Sequence, residues 1–318
     1  MNDQAGGSAT RILVANQQEL DAALAAATGG ETIALLSGEY DSIRLWSRNF
    51  DSDVRLVSAD PDAPATITGD IRVSSVSNFS IEGVDLIGDA PLAAYGSRIT
   101  IQDSSNVRVA DMTLTGTVPD SGVDPNDPSL SPIEALRGMP HEYGVKITGS
   151  SGVTLDALDI TTMYKGVIVD KSADIAITNS EFHDLRSDGV NFVDTSDLRI
   201  EGNYFHDFTP WLNQGNGTGD HPDFIQYWGA PGGAGIDGVV IRDNIMLQGE
   251  GDLVQSIFGH FGPRGADSDP FTNFEVSGNF IQTNHVHGIA LGDVSGGQIF
   301  GNVLIPSGMD IASPGDGG

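Results

Sequence analysis

The sequence predicts an all-β solenoid, a right-handed parallel β-helix with a short helix over its first coil, and three observations carry that prediction. A short apolar pattern recurs from about residue 54 onward, a second phrase follows it in each coil, and one amphipathic helix precedes them all. Repetition is weighed first because it overrides element-by-element reading.

The clearest copies are VTLDALDI (153–160), IAITNSEF (175–182), LRIEGNYF (198–205), VVIRDNIM (239–246), FEVSGNFI (274–281) and QIFGNVLI (298–305). FSIEGVDL (79–86) and VRVADMTL (107–114) are weaker ones. Each alternates apolar and polar residues, passes a small residue or Asn, and turns apolar again, which is a strand signal bounded by turn formers. The asparagines stand at 179, 203, 244, 279 and 302, in steps of 24, 41, 35 and 23. A short step is one coil and a long step is a coil carrying a loop. Asn at such a corner is expected to hold left-handed backbone and to bond the amides of neighbouring coils. A β-sandwich or propeller would need hairpin turns such as Asn-Gly, and these are scarce.

The helix is predicted over 18–27, ending at Gly29-Gly30, with a strand (TIALLSG) after it. This element, 16–30, would cover strand edges left open at the end of the coil. One domain over 1–318 is expected, with loops 118–142 and 206–222 as groove walls and a linker-like tail at 306–318.

Composition narrows the function. The chain has 318 residues, 44 acidic against 15 basic, a net charge of −29, 41 glycines and no cysteine. Disulfides and thiolate chemistry are excluded, and so high a negative charge argues against a nucleic-acid partner. No apolar run is long enough for a membrane-spanning helix. The opening MNDQAGGSAT lacks the charged and apolar regions of a signal peptide. The protein is nonetheless expected to be secreted, its leader removed or its signal lying beyond Gly318.

The second phrase reads YGVKI (143–147), KGVIV (165–169), DGVNF (188–192), DFIQY (223–227), DLVQS (252–256) and HGIAL (287–291). Aligning the central apolar residue puts Tyr143, Lys165, Asp188, Asp223, Asp252 and His287 in one column. Lys146, Ile168, Asn191, Gln226, Gln255 and Ala290 form the next. Coils stack about 4.8 Å apart, so one ligand touches several rungs, and alternation points the second column outward. Ionisable groups beside amides suit sugar hydroxyls and carboxylates; an Asn/Gln ladder pairing only with itself is the plainer alternative.

Chemistry concentrates in TPWLNQGNGTGDHPDFIQYWG (209–229). His221 is the natural proton carrier, and Asp220 and Asp223 beside it are expected to orient it. Trp211, Tyr227 and Trp228 are candidates for stacking on sugar rings, although Asp-His-Pro-Asp also suits a plain turn. Zinc spacing is absent. Asp120, Asp124 and Asp127 could collect Ca2+, and no cofactor is otherwise expected. All three lysines, Lys146, Lys165 and Lys171, fall in neighbouring strands or turns with Arg186 close by. Such a patch could seat a sugar carboxylate, whose neutralisation acidifies the adjacent C5 proton.

On these residues the chain resembles right-handed parallel β-helix polysaccharide lyases and mannuronan C5-epimerases. GGETIALLSGEYDSI is similar to the start of many such lyases. Asp220-His221-Pro222-Asp223, with Gln226 beyond, is similar to the epimerases' Asp-Pro-His-Glu-Gln run with His and Pro exchanged. SDGVNFVD (187–194) resembles the neighbouring epimerase coil and implies an active-site role for Asp194. Lys171-Ser172 resembles the lysine of chondroitinase B-type lyases, whose arginine would fall near 193–194; Lys165 with Arg186 is the substitute pair.

The combined expectation is an enzyme acting on an acidic, alginate-like polysaccharide by C5-proton abstraction. His221, Asp220, Asp223, Asp188, Lys165 and Arg186 would carry the chemistry. Tyr143, Lys146, Asn191, Gln226, Gln255, Trp228, Trp211 and Asp252 would bind. A glycoside hydrolase using Asp188, Asp223 and Asp252 is the first alternative, and a non-catalytic glycan-binding adhesin or tail-fibre module the second.

Overall fold

The computed structural model describes residues 10–212, 219–230, 232–260 and 271–308. They form a right-handed parallel β-helix in which each full coil contributes one strand to each of three parallel sheets. In one coil, Tyr143–Thr148 lies in the first sheet, and Ser151–Thr161 bends at Ala157 (φ 52°) to supply the second and third. The register is regular: Val145 pairs with Val167, Val167 with Val190, Val190 with Ile225 and Ile225 with Ile257.

Inward residues of successive coils fill the core. Ile147, Val169, Phe192 and Tyr227 are fully buried along the first sheet, and the Phe182 and Phe205 rings stack at 4.7 Å in the third. Each such side chain stabilises the fold by roughly 1.5–3 kcal/mol. The glycine of YGV, KGV and DGV has a steric cause: a Cβ on Gly144 or Gly166 would lie 2.5 Å from the next coil's backbone carbonyl.

Between the second and third sheets every later coil turns in two residues. The first, Asn179, Gly202, Asp243, Gly278 or Gly301, has positive φ. The second belongs to a ladder of Ser180, Asn203, Asn244, Asn279 and Asn302. Asn244 Oδ1 accepts from the Asn203 backbone N–H (2.9 Å) and Nδ2 (3.0 Å), and Asn244 Nδ2 donates to the Ile200 carbonyl (2.9 Å) and Asn279 Oδ1 (2.9 Å). Two expectations change here. The ladder asparagines are not left-handed; the residue before each is. Asn179 stands in that left-handed position, and Ser180 takes the ladder place, its backbone N–H donating to Asn203 Oδ1 at 2.9 Å.

Insertions, by contrast, flank the first sheet: residues 88–96, 116–142, 207–222 and 248–254 precede its strands, and 229–235 follow one. Loop 116–142 is anchored by a fully buried ion pair, Glu142 accepting from Arg98 Nε (2.7 Å) and Nη2 (3.0 Å). Residues 213–218 of the 206–222 loop and 309–318 of the expected tail lie outside the described residues.

Helix α1, Gln17–Ala26, buries Leu20, Ala23 and Leu24 against the first coil. Asn16 Oδ1 accepts from the Glu19 backbone N–H, and Glu19 accepts from Ala15 N, a reciprocal cap. The helix stops before Gly29 because Ala27 is already extended. Coiling begins earlier than residue 54: Arg11–Val14 pairs with Thr32–Leu35, and that strand with 55–58. These first rungs lack the Asn, so the repeat did not reveal them.

Candidate functional site

The outer face of the first sheet carries three files of side chains. The first runs Ser97, Tyr143, Lys165, Asp188, Asp223, Gln255, His287, and the second Thr100, Lys146, Ile168, Asn191, Gln226, Phe258, Ala290. Two residues further along the strands a third runs Gln102, Thr148, Asp170, Val193, Trp228, His260. A groove of about 850 Å³ lies over them, lined by Tyr143, Lys146, Lys165, Asp170, Lys171, Asn191, Asp194, Gln226, Trp228 and His260, with Ile168, Val193 and Ala230.

Beneath the groove a chain of hydrogen bonds links the first two files. Lys165 Nζ donates to Asp188 Oδ2 (2.6 Å), and Asn191 Nδ2 donates to Asp188 Oδ2 (3.0 Å) and Gln226 Oε1 (2.6 Å). Gln226 Nε2 donates to Asp223 Oδ2 (2.7 Å), and Trp228 Nε1 to Asn191 Oδ1 (3.0 Å). Burial opposes the charge on Lys165, but its contact with Asp188 outweighs this and the ammonium's pKa is raised. Asp223 is fully buried, and burial together with the Asp188 charge pushes its carboxyl up to about 9. Its Oδ1 has no hydrogen-bond partner. Two carboxyls on adjacent rungs thus share one buried site, and the Asp223 one is the one pushed up.

A second cluster occupies the corner after the sheet. Lys171 (φ 49°) and Asp194 (φ 47°) hold equivalent positions on successive coils. Asp194 is pushed up by burial and by the nearby Asp170 charge, which together outweigh the Gly235 backbone hydrogen bond and Lys171. Across the groove Tyr143 packs with Tyr95 and Tyr164, at 6.1 Å and 5.9 Å between centroids. Burial raises its hydroxyl despite Lys165.

Several sequence expectations meet different geometry. Arg186 and Asp220 form a buried bidentate pair (2.7 and 2.9 Å), with the Trp211 backbone N–H also donating to Asp220 (2.9 Å). The Asp220 carboxylate is thus engaged inside by Arg186, while His221 is exposed and outside the groove lining. Arg186 lies under the rings of Tyr164 (4.5 Å) and Trp211 (5.4 Å), and Trp211 is buried, so neither presents itself to a ligand. Tyr227 points into the core, its hydroxyl donating to the Gly292 carbonyl. The alignment of DLVQS slips by three residues: Gln255, not Asp252, pairs with Asp223, and Phe258 takes the position given to Gln255. Asp188 and Asp223 keep their column but lie under the groove floor, at 1 % and 0 % exposure.

The groove also holds residues the sequence reading left aside. Asp170 and His260 belong to the third file, which continuing the same alternation two residues past Lys146 and Gln226 would have found. Asp120, Asp124 and Asp127 each accept backbone N–H groups of their own turns. Among the described residues no group of three or more His, Asp or Glu is arranged for a metal ion.

The family described as right handed beta helix region matches residues 143–308. No curated protein matches the sequence. Among solved structures, an alginate lyase from Paenibacillus sp. str. FPU-7 is similar at TM-score 0.50 and 16% identity, over 95% of this chain and 99% of that one. A family 28 exopolygalacturonase of Yersinia enterocolitica gives 0.54 and 13%, over 96% and 67%. An endo-xylogalacturonan hydrolase from Aspergillus tubingensis gives 0.50 and 14%, over 95% and 91%. At such identities the likeness is one of fold, and with more than half of its length matched by the family, the chain belongs to the right-handed β-helix proteins.

Proposed function

We propose that the groove binds a uronate-containing polysaccharide and removes the proton at C5 of one sugar. The observation carrying this is that every lysine in a chain of net charge −29 lines this one groove. On so acidic a surface the three lysines concentrate positive charge in this groove, and that charge favours carboxylated over neutral sugars. Solved structures of similar fold include an alginate lyase and an exopolygalacturonase, which agrees with a uronate substrate.

In this reading Lys171 meets the carboxylate of the reacting sugar, and its charge stabilises the enolate that forms when C5 loses its proton. Asp194, one coil on, takes that proton, because a carboxyl raised towards neutrality is a stronger base than an exposed one. Lys146 and Lys165 hold neighbouring carboxylates, Lys165 kept cationic by Asp188. The role expected of His221 passes to Asp194, since His221 lies off the groove. Expulsion of the 4-linked sugar would make the enzyme a lyase; return of a proton to the other face would make it an epimerase.

A panel of uronate polymers tests this, read by ultraviolet absorbance of unsaturated products and by C5 deuterium exchange. Asp194→Asn is expected to lower turnover at least about 100-fold with the fold intact. Absence of both signals across the panel rejects the reading. One observation favours a second: Asp170 and Asp194 line the same groove, and the Asp170 charge helps to raise the Asp194 carboxyl, the kind of paired arrangement a hydrolase uses. New reducing ends without unsaturation, lost in Asp170→Asn, would select it.

A further inference from the structure

The files of the first sheet do not stop at the groove. Traced towards α1, the second continues from Lys146 through Thr100 to Arg72 and Arg44, and the third from Thr148 through Gln102 and Ser74 to Trp46. Trp46 and Trp228 thus occupy the same position on rungs six coils apart, 55 % and 39 % exposed. A single exposed tryptophan needs no explanation. Two in one file, each beside a cationic or amide file and separated by Ser74, Gln102, Thr148, Asp170 and Val193, describe a track.

We infer that a distal sugar-binding subsite lies at Trp46, Arg44 and Arg72, and that one polysaccharide chain runs along the solenoid axis from it to the central groove. This rests on the reading of the groove as a polyuronate site. Six rungs at about 4.8 Å span roughly 29 Å, the length of some six sugars. The subsite has the right parts. Arg44 and Arg72 share the single, nearly buried carboxylate of Asp70, so the pair carries a net positive charge next to the indole. Arg72 is about half exposed. Beside Trp46 a recess of about 560 Å³ opens against α1. Asp21 and Asp41 also line it, and Arg48 there is turned to the Ala25 and Ala27 carbonyls (3.1 and 2.6 Å), leaving Arg44 and Arg72 as the cations of the track. A planar indole stacks on the apolar face of a pyranose, and the guanidinium fork matches a carboxylate.

Calorimetric titration of the intact protein with an oligomannuronate trimer and decamer tests the extension. The trimer reaches only the groove and the decamer reaches both ends. Trp46→Ala is expected to weaken decamer binding about tenfold while trimer affinity holds. Arg72→Gln is expected to weaken the decamer less and to flatten its salt dependence. Equal affinity of wild-type and Trp46→Ala protein for the decamer, with the trimer still bound, overturns the distal subsite alone. No binding of either oligomer to wild-type protein overturns the groove reading and the subsite with it.

Discussion

Two stacks of polar side chains run through this molecule, and they behave differently. In the corner ladder Asn203, Asn244, Asn279 and Asn302 are alike, so every amide meets its copy one coil away and nothing is left over. In the groove file Lys165, Asp188, Asp223 and Gln255 differ, and bonding runs sideways through Asn191 and Gln226 as well as along the stack. A uniform ladder satisfies itself and can be buried as structure. A mixed one does not close on itself, and in the proposed reading its Lys165, on the groove lining, is left to meet a ligand.

The contrast predicts where substitutions act. Asn244→Ala removes four hydrogen bonds and leaves buried partners on two coils unsatisfied, so it is expected to lower the unfolding free energy by about 3 kcal/mol in denaturant titration. Ligand binding by the remaining folded protein should be unchanged, and a loss of binding without loss of stability would erase the distinction.

Asp223→Asn probes the mixed file. The folded carboxyl holds its proton up to about 9, whereas in the unfolded chain it ionises near 4. The native state therefore binds the extra proton between these values, and stability from this group falls as pH rises across that window. The amide cannot ionise, so the variant's stability should decline less steeply over the same range. Parallel curves would show that Asp223 is not held neutral.

A smaller effect is expected at the surface, where the His183 and His206 rings stack at 5.3 Å. Burial opposes the His183 charge, but Asp184 (2.6 Å) and Asp159 (2.9 Å) raise its pKa overall. Its stabilisation is present below pH about 6.5 and lost as pH rises through the folded value. With both carboxylates about half exposed, His183→Gln should cost under about 1 kcal/mol at pH 6 and nothing at high pH.

The fold was legible because a solenoid repeats its physics: the corner asparagines recur in four of the later coils, and the x-Gly-Val phrase in three successive ones. The register was legible only where coils have equal length. DLVQS imitates DFIQY, but residues 248–254 are a loop and Ile257 sets the true phase. Local adjacency misled most at Asp220-His221, because a loop's sequence does not say which way each side chain turns, and Arg186 waits inside for the aspartate. The lysines were read correctly as neighbours, since charge confined to consecutive coils converges whatever the loops do.

The uniform two-residue corner opposite the groove has a last consequence. Because the described insertions after residue 66 border the first sheet, the later coils can accept grafts of different length there without disturbing their hydrogen-bonded spine. Closing a longer loop costs only logarithmically more. The rim of the groove is thus free to diversify from one relative to another while the scaffold beneath it stays fixed.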